Sequence, residues 1–372
     1  MLEKISLWKL KKLPLTEQFG IYDKKFRGID QELVIEKKTG MVSLKKKIPS
    51  KFLYSKSNYN YTTSAGSKKR DIDKFTNFIK KKLSKKYLDK IIDIGGNDLT
   101  IINQFNNHKA KLYVIDPVGK KNKSFKNISL IKKKVEKVNF KKIFKNSNLI
   151  ILRHTLEHIA NPRALLKKIF INSSNDTKVA IEVPNLDLML KNKRLDAIIH
   201  QHYHYFDKIT LTNLIISSGG QVESFLNYNE GPCGGSMMLL CEKSNKNYKK
   251  IKSFNLKKKI LRIKKTIKLF KKKMGRMKNK IEKNKKIYGF GAGLMLPTFI
   301  YHLGIKQKIF DCILDDNPKK NNFSYKNLDV KVRSTNKFLP KPNSKYLITS
   351  LENVNQIKRR IKKLKPNNIY TI

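Results

Sequence analysis

The chain has 372 residues, enough for two or three domains and a full core, with 39% hydrophobic residues and a formal net charge of +55. Only 10 of its 83 basic residues are arginine, the usual base reader and phosphate clamp, and the 73 lysines are scattered. The charge therefore reads as solvated surface, explained by AT-rich codon usage, and no nucleic-acid partner is expected. Three cysteines without a Cys-x-x-Cys pair indicate neither a disulfide framework nor a cysteine zinc site. No apolar run reaches the roughly 18–20 residues of a membrane span, and Glu3, Lys4 and Lys9 interrupt the N-terminus, so a cytoplasmic protein with no membrane partner is expected.

Residues 1–65 read as an irregular N-terminal segment with extended pieces at 32–36 and 41–44, closed by Phe52, Tyr54, Tyr59 and Tyr61. Helical spacing of Ile72, Phe75, Phe78, Ile79 and Leu83 predicts a helix over 70–88. Strands are expected at 90–94, 111–115, 129–133, 148–152, 178–183, 221–225 and 236–241, alternating with helical stretches. That order gives a mostly parallel sheet covered by helices over 66–245, its last strand antiparallel because only a short turn precedes it. From 246 to 285 the residues Leu256, Ile260, Ile263, Ile267, Phe270, Met274, Met277 and Ile281 form one apolar stripe. They predict a Lys-rich connecting helix whose striped part spans about 39 Å, packed on its own protein. A smaller α/β domain fills 286–372, with strands at 286–290, 309–314 and 346–349 and a last helix at 356–364.

The chemistry-bearing residues lie at predicted strand ends. Ile91-Ile92-Asp93-Ile94-Gly95-Gly96-Asn97-Asp98 is an apolar strand entering a glycine turn, and the next strand, Leu112-Tyr113-Val114-Ile115, ends at Asp116. In a nucleotide-binding α/β domain this order places a tight turn beside the ligand and a carboxylate beside its ribose hydroxyls. The glycines are expected because a Cβ would block the ligand's approach. The third glycine of a dinucleotide fingerprint is missing, so NAD fits poorly. Arg153, His154, Glu157 and His158 follow the strand at 148–152, on the ligand-facing edge of such a sheet. The stretch His200-Gln201-His202-Tyr203-His204-Tyr205-Phe206 places three alternating histidines on an extended piece. They read as a base, a metal cluster or surface decoration, and the aromatic flanks favour partial burial. Gly234 and Gly235 close a tight turn before the last strand. Gly289-Phe290-Gly291-Ala292 and Asp315-Asp316 repeat the turn-and-acid pattern near the C-terminus.

Asp93–Asp98 resembles the first motif of class I S-adenosylmethionine (SAM) methyltransferases. With residues 156–159, 181–184, 200–206, 234–236, 289–292 and 315–318 in the right order, the chain is similar to the SAM-dependent sugar C-methyltransferases. These enzymes have a small N-terminal zinc domain, a central class I methyltransferase domain with a Rossmann-like seven-stranded sheet, and a smaller Rossmann-like C-terminal domain. The resemblance implies SAM as cofactor and a nucleotide-linked deoxysugar as substrate, methylated at a carbon next to a keto group. It places Asp93, Gly95, Gly96, Asn97, Asp98, Asp116 and Arg153 on the cofactor side. His202 would be the general base, with His158 and Gln201 beside it. Tyr59, Tyr61, His200, Tyr205, Gly234 and Gly235 would face the substrate.

The sequence departs from that pattern at several positions. Glu36 and Thr39 stand where zinc cysteines are usual, so neither a structural zinc nor any other metal is expected. Gln201 replaces an acid between two histidines, Ile199 a tyrosine, Leu99 a glycine and Met295 a lysine. These changes leave open methylation at sugar oxygen or nitrogen, or a non-catalytic binding descendant of the fold. A nucleic-acid methyltransferase is suggested by charge alone, and no Asn-Pro-Pro-aromatic motif supports it.

Overall fold

The computed structural model describes residues 3–16, 19–26, 28–53, 69–83, 88–106, 110–119, 127–244 and 251–371. Tyr59 and Tyr61, named above as substrate contacts, lie outside the described residues.

The N-terminal segment is a sheet, which corrects the reading of it as irregular. Strands β1 (Lys4–Leu13), β2 (Ile29–Glu36) and β3 (Val42–Leu44) pair antiparallel in that order. Lysines on the outward positions of β1 broke up the apolar pattern, while Leu7, Trp8, Leu10 and Leu13 turn inward. The turn between β2 and β3 is closed by Thr39 Oγ1 donating to the Glu36 carboxylate and by Gly40 N donating to Glu36 O at 2.9 Å. The short helix α1 (Ser50–Leu53) ends this part.

The central domain begins with α2 (Lys69–Leu83), whose Ile72, Phe75, Ile79 and Leu83 are buried. It continues through β4 (Lys90–Ile94), α3 (Thr100–Asn103), β5 (Lys111–Ile115), β6 (Ile128–Ile131), α4 (Phe140–Phe144), β7 (Leu149–Arg153), α5 (Pro162–Asn172), β8 (Lys178–Pro184), α6 (Leu186–Lys191), β9 (His204–Tyr205), α7 (Lys208–Ser217), β10 (Gly220–Tyr228) and β11 (Ser236–Lys243). Seven of these strands form one sheet in the order β10-β11-β8-β7-β4-β5-β6. β6, β5, β4, β7 and β8 are parallel, and β11 enters antiparallel to β8, as expected. Ile91, Ile92, Ile150, Ile151, Leu152, Val179 and Ile181 are fully buried, as continuous apolar strands of a two-sided sheet must be. The strand order changes direction at β4/β7, and the carboxyl ends of β4, β5 and β7 open there onto one crevice. β9 leaves this sheet and joins the N-terminal one, pairing Ser43 with His204 and Val42 with Tyr205.

Helix α8 (Leu256–Glu282) is the predicted connector, starting later than the composition change suggested. Asn255 caps it by accepting from Lys258 N at 2.8 Å. Its stripe packs on the protein itself: Ile263, Ile267, Phe270, Met274 and Ile281 are buried with residues of β1 and the C-terminal domain. Among the described residues no helix is long and apolar enough to cross a membrane.

The last domain contains β12 (Ile287–Phe290), α9 (Leu296–Leu303), β13 (Phe310–Asp315), β14 (Ser324–Tyr325), β15 (Leu328–Ser334), β16 (Lys345–Ile348), α10 (Val354–Lys362) and β17 (Asn368–Tyr370). Its sheet runs β14-β15-β13-β12-β16-β17, with all neighbours parallel except the β14–β15 hairpin.

Candidate functional site

The turn after β4 is built around Asp116. Gly95 N donates to Ile115 O at 2.8 Å, Asn97 N to Asp116 Oδ2 at 3.1 Å and Val118 N to Asp116 Oδ1 at 2.8 Å. The carboxylate at the end of β5 thus fixes the glycine turn at the end of β4. Asp98 Oδ1 accepts from both the amide and the hydroxyl of Thr100. Gly95 has φ +76°. A Cβ there would lie 2.3 Å from Thr155 Oγ1, and one on Gly96 would lie 2.7 Å from Val114 Cγ1 and 2.8 Å from Asp93 Oδ2. The glycines are therefore required first by the turn's own packing, where the sequence reading had invoked the ligand's approach. Thr155, which the sequence reading missed, pins the turn from the β7 side by donating to Ile94 O at 2.9 Å.

Asp93 sits below this turn, 2% exposed, and its Oδ2 has no hydrogen-bond partner. Burial, then the Asp116 carboxylate, pushes its pKa up to about 7. A buried, unmatched carboxylate oxygen calls for a cationic donor such as the ammonium of an amino-acid moiety. Asp116 at the end of β5 stands where a ribose diol would sit. A SAM molecule offers both groups, so the residues fit it: Asp93 would hold its methionine part and Asp116 its ribose. Leu99, at the position where the resemblance has glycine, adopts a left-handed backbone (φ 69°, ψ 6°) and is 1% exposed. Its side chain packs among Phe75, Ile79, Ile91 and Ile102.

β7 and β8 place a buried charge network at the same edge. Arg153 and Glu182 are cross-strand neighbours, and Arg153 Nε donates to Glu182 Oε2 at 2.8 Å. Ser236 Oγ donates to Glu182 Oε1 at 2.7 Å. Burial alone would raise the Glu182 pKa, but Arg153, then His154, outweigh it and bring it down to about 2. His154 adopts φ +48°, uncommon for a non-glycine residue, which points its ring back at Glu157 (3.3 Å) and Glu182 (3.6 Å). Burial opposes its charge, but Glu182 and Glu157 raise its pKa to about 9. Glu182 and Ser236 were not singled out as site residues. An acid inside the apolar stretch Ile181-Glu182-Val183, opposite an arginine ending another apolar strand, was the available signal.

The histidine stretch does not form one row. A turn, with His202 N donating to Ile199 O at 3.1 Å, breaks the alternation, and only residues 204–205 are strand. His200 turns toward the N-terminal sheet: its Nε2 donates to Leu13 O at 2.9 Å and Gln31 Nε2 approaches its Nδ1 at 3.5 Å. His204 stacks on Phe206 at 5.8 Å. Burial lowers its pKa to about 4. Tyr205 is 2% exposed, and its hydroxyl accepts from Ile199 N at 3.1 Å. His200 thus serves the junction with the N-terminal sheet, while the ring of Tyr205 lies edge-on to that of His202 at 6.2 Å.

His202 turns to the Glu157–His158 turn after β7. Its ring lies edge-on to that of His158 at 4.9 Å, and His158 Nδ1 donates to Gln201 O at 2.8 Å. Ligand-capable atoms of Glu157, His158 and His202 lie within 4.8 Å of one another, a spacing that could hold a cation. His202 Nδ1, Glu157 Oε2 and both amide atoms of Gln201 are buried without hydrogen-bond partners. Burial, then His158, lowers the His202 pKa to about 3, so the ring is neutral near pH 7. Burial opposes ionisation of Glu157, but His154 and the other two rings bring its pKa below the ordinary value.

Gly234 (φ +87°) and Gly235 (φ +128°) are buried beside α6, and a Cβ on either would lie 2.6 Å from Arg194 or Leu188. The preceding Cys233 N donates to Glu352 Oε1 of the last domain at 3.0 Å. That domain has a similar turn, in which an acid at a strand end again accepts from the glycine turn and from the amide two residues after itself. Gly291 N donates to Leu314 O at 2.7 Å, Ala292 N to Asp315 Oδ2 at 2.9 Å and Asn317 N to Asp315 Oδ1 at 2.9 Å. Thr349 Oγ1 donates to Gly291 O at 2.8 Å. Lys320 Nζ joins Asp315 at 2.9 Å, so a lysine reaches this turn although Met295 stands where one was expected.

The fold is that of a class I SAM methyltransferase. Residues 66–224 match the family model described as a methyltransferase domain, and residues 233–368 match the C-methyltransferase C-terminal domain. The chain is a SAM-dependent methyltransferase carrying that C-terminal domain, and S-adenosylmethionine is its cofactor. No curated protein matches it by sequence. Among solved structures it is similar to the 1,6-didemethyltoxoflavin-N1-methyltransferase of Burkholderia thailandensis with bound 1,6-didemethyltoxoflavin and S-adenosylhomocysteine (11% identity, 61% of this chain and 100% of that one, TM-score 0.44). It is also similar to the N-methyltransferase NodS of Bradyrhizobium japonicum WM9 (10%, 46% and 94%, TM-score 0.36). Against the mitomycin 7-O-methyltransferase MmcR (13% identity, 42% of this chain, TM-score 0.33) the chain spans about half of that protein's length, 49%. At these scores nothing about substrate or mechanism rests on the likenesses.

Proposed function

We propose that the protein methylates a nucleotide-linked deoxysugar, at a carbon next to a keto group. The observation that carries this reading is the duplicated turn. A methyltransferase needs one nucleoside site for its cofactor, and this chain has a second glycine turn held by an acid, at Gly291 and Asp315. A nucleotide carrier on the acceptor would occupy it. The match to a C-methyltransferase C-terminal domain supports carbon as the acceptor atom. Bound SAM supplies an electrophilic methyl group. The chain's own task is then to orient the acceptor and take a proton alpha to its ketone. His202 is the base in this reading: it is buried, neutral and next to His158 and Glu157. Methylation at sugar oxygen or nitrogen is the second reading, favoured by Gln201 in place of an acid.

The first test is calorimetric titration with S-adenosylhomocysteine, with Asp116→Ala as control, followed by a panel of nucleotide-linked keto-sugars and methyl-labelled SAM. Micromolar binding lost in the variant, and label on a sugar carbon, are expected. Asp315→Ala should weaken acceptor binding and spare the cofactor. Label on oxygen or nitrogen would favour the second reading, and no transfer to any nucleotide-linked sugar would overturn the first.

A further inference from the structure

Position 201 carries a glutamine where an acid would flank the base, yet a carboxylate is present in space. Glu157, in the turn after β7, is 1% exposed and its Oε2 has no partner. His202 is 6% exposed and its Nδ1 has no partner. A ring nitrogen of His202 and a carboxylate oxygen of Glu157 lie within 4.8 Å, a gap that one water spans. The two side chains thus lie in one cluster, each with an unmatched buried polar atom, one able to donate and the other an acceptor, which a water between them would complete. The backbone locks the two segments together, Tyr203 N donating to Glu157 O at 2.8 Å and His158 Nδ1 to Gln201 O at 2.8 Å. His154 holds the other carboxylate oxygen at 3.3 Å, which fixes the direction of Oε2.

We infer that Glu157 is the positioning residue for His202, holding its Nδ1–H through a bridging water and leaving the Nε2 lone pair for the substrate. The inference rests on the reading of His202 as the base. In the step itself Nε2 takes the proton alpha to the ketone. The C–H electron pair becomes the new carbon–methyl bond, the methyl–sulfur pair stays on sulfur, and the imidazolium left at His202 faces the Glu157 carboxylate. This is the division of labour by which a buried carboxylate sets the tautomer of a catalytic histidine. Gln201 cannot supply it, because an amide carries no charge to set against the imidazolium.

The experiment is long-range 1H–15N correlation at neutral pH on the full chain with 15N-histidine, the His202 signals assigned by their loss in His202→Gln. The wild type is expected in the Nδ1–H tautomer. Glu157→Gln, whose amide can itself donate to Nδ1, is expected to move His202 to the Nε2–H tautomer, and Glu157→Asp to restore Nδ1–H. An Nε2–H tautomer in the wild type overturns the inference, whether or not the variants fold. So does an unchanged tautomer in a Glu157→Gln protein that still binds S-adenosylhomocysteine. One equivalent of tightly bound transition metal in the purified chain also overturns it, since Glu157 and His202 would then be ligands. None of these outcomes depends on methyl transfer, so failure of the sugar reading stays distinguishable.

Discussion

The Glu352 carboxylate accepts from Arg194 NH2 at 3.0 Å, joining residues 158 positions apart at the junction of the methyltransferase and C-terminal domains. The same oxygen takes the amide of Cys233, and Arg194 forks onto both oxygens of Asp196 at 2.9 Å. This contact ties the Gly234-Gly235 turn to the domain that bears Asp315. The side chain of Glu352 is 36% exposed, so the pair is partly screened and Glu352→Ala is expected to cost only about 1 kcal/mol. Its effect should fall on the acceptor, with KM raised and the affinity for S-adenosylhomocysteine unchanged, because Asp93 and Asp116 lie on a different turn. Urea unfolding and calorimetry on the variant check both parts, and a lost cofactor affinity would mean that the two turns form one cooperative unit.

Glu182 makes the acid limb of stability predictable. Its pKa in the folded chain is about 2, against an ordinary value of 4.5. A depressed carboxylate adds stability that is complete above the ordinary value and is lost as pH falls through 4.5 toward 2. Glu182→Gln should remove that slope and also leave the Arg153 guanidinium buried without its partner, a cost of about 3–5 kcal/mol. Urea midpoints at pH 6 and pH 4 measure it: the wild type should fall more between them than the variant. Equal slopes would place the acid-sensitive pair elsewhere.

Much of this was legible in the sequence because it is carried by local patterns. β4, β5 and β7 fell where apolar runs end in glycine, acid or histidine, the other central strands fell on apolar runs, and α8 followed its stripe. The N-terminal sheet was hidden because β1 is an edge strand whose outward lysines dilute its alternation, and because β9, its fourth strand, comes from residues 204–205. The hairpin β14–β15 and strand β17 are too short or too polar to stand out. In the candidate site, Asp93, Gly95, Asn97 and Asp116 stand out in the sequence because each lies at a strand end or in the turn after one, and the folded chain brings them into one turn. Glu352 has no local signal, since its role comes only from the domain contact. The three histidines were misjudged as one row because extended geometry was assumed across a turn that only the folded chain reveals.

Leu99 adopts the left-handed backbone that glycine favours. Its left-handed conformation costs about 1–2 kcal/mol for a residue with a Cβ, and its buried side chain offsets this by packing among Phe75, Ile91 and Ile102. Leu99→Gly releases the strain but empties a core position, where deleting a leucine side chain costs about 2.7–5 kcal/mol. The variant should therefore be less stable than the wild type by about 1–4 kcal/mol, as the difference of those two terms. Thermal and urea unfolding decide it, and a stabilised variant would mean that the side chain packs poorly.

Asp93 links cofactor binding to pH. Burial and the neighbouring Asp116 bring its pKa to about 7 in the unliganded chain, so at pH 6 it is mostly protonated. An ammonium group favours the ionised form, so binding near pH 6 must release a proton from Asp93, and affinity rises with pH until that proton is already gone. The affinity for S-adenosylhomocysteine should increase by up to about tenfold per pH unit below 7 and level off by pH 8, with proton release detectable as a dependence of the binding enthalpy on the buffer. Asp93→Asn, which cannot ionise, should bind more weakly at pH 8 and show no slope. The raised pKa also makes the unliganded fold lose stability as pH climbs from 3.8 through 7, the reverse of the Glu182 effect, because here the folded chain holds a proton that the unfolded chain has given up. A flat affinity profile in the wild type would place the ammonium on another acceptor and leave Asp93 a purely structural, protonated acid under Gly96.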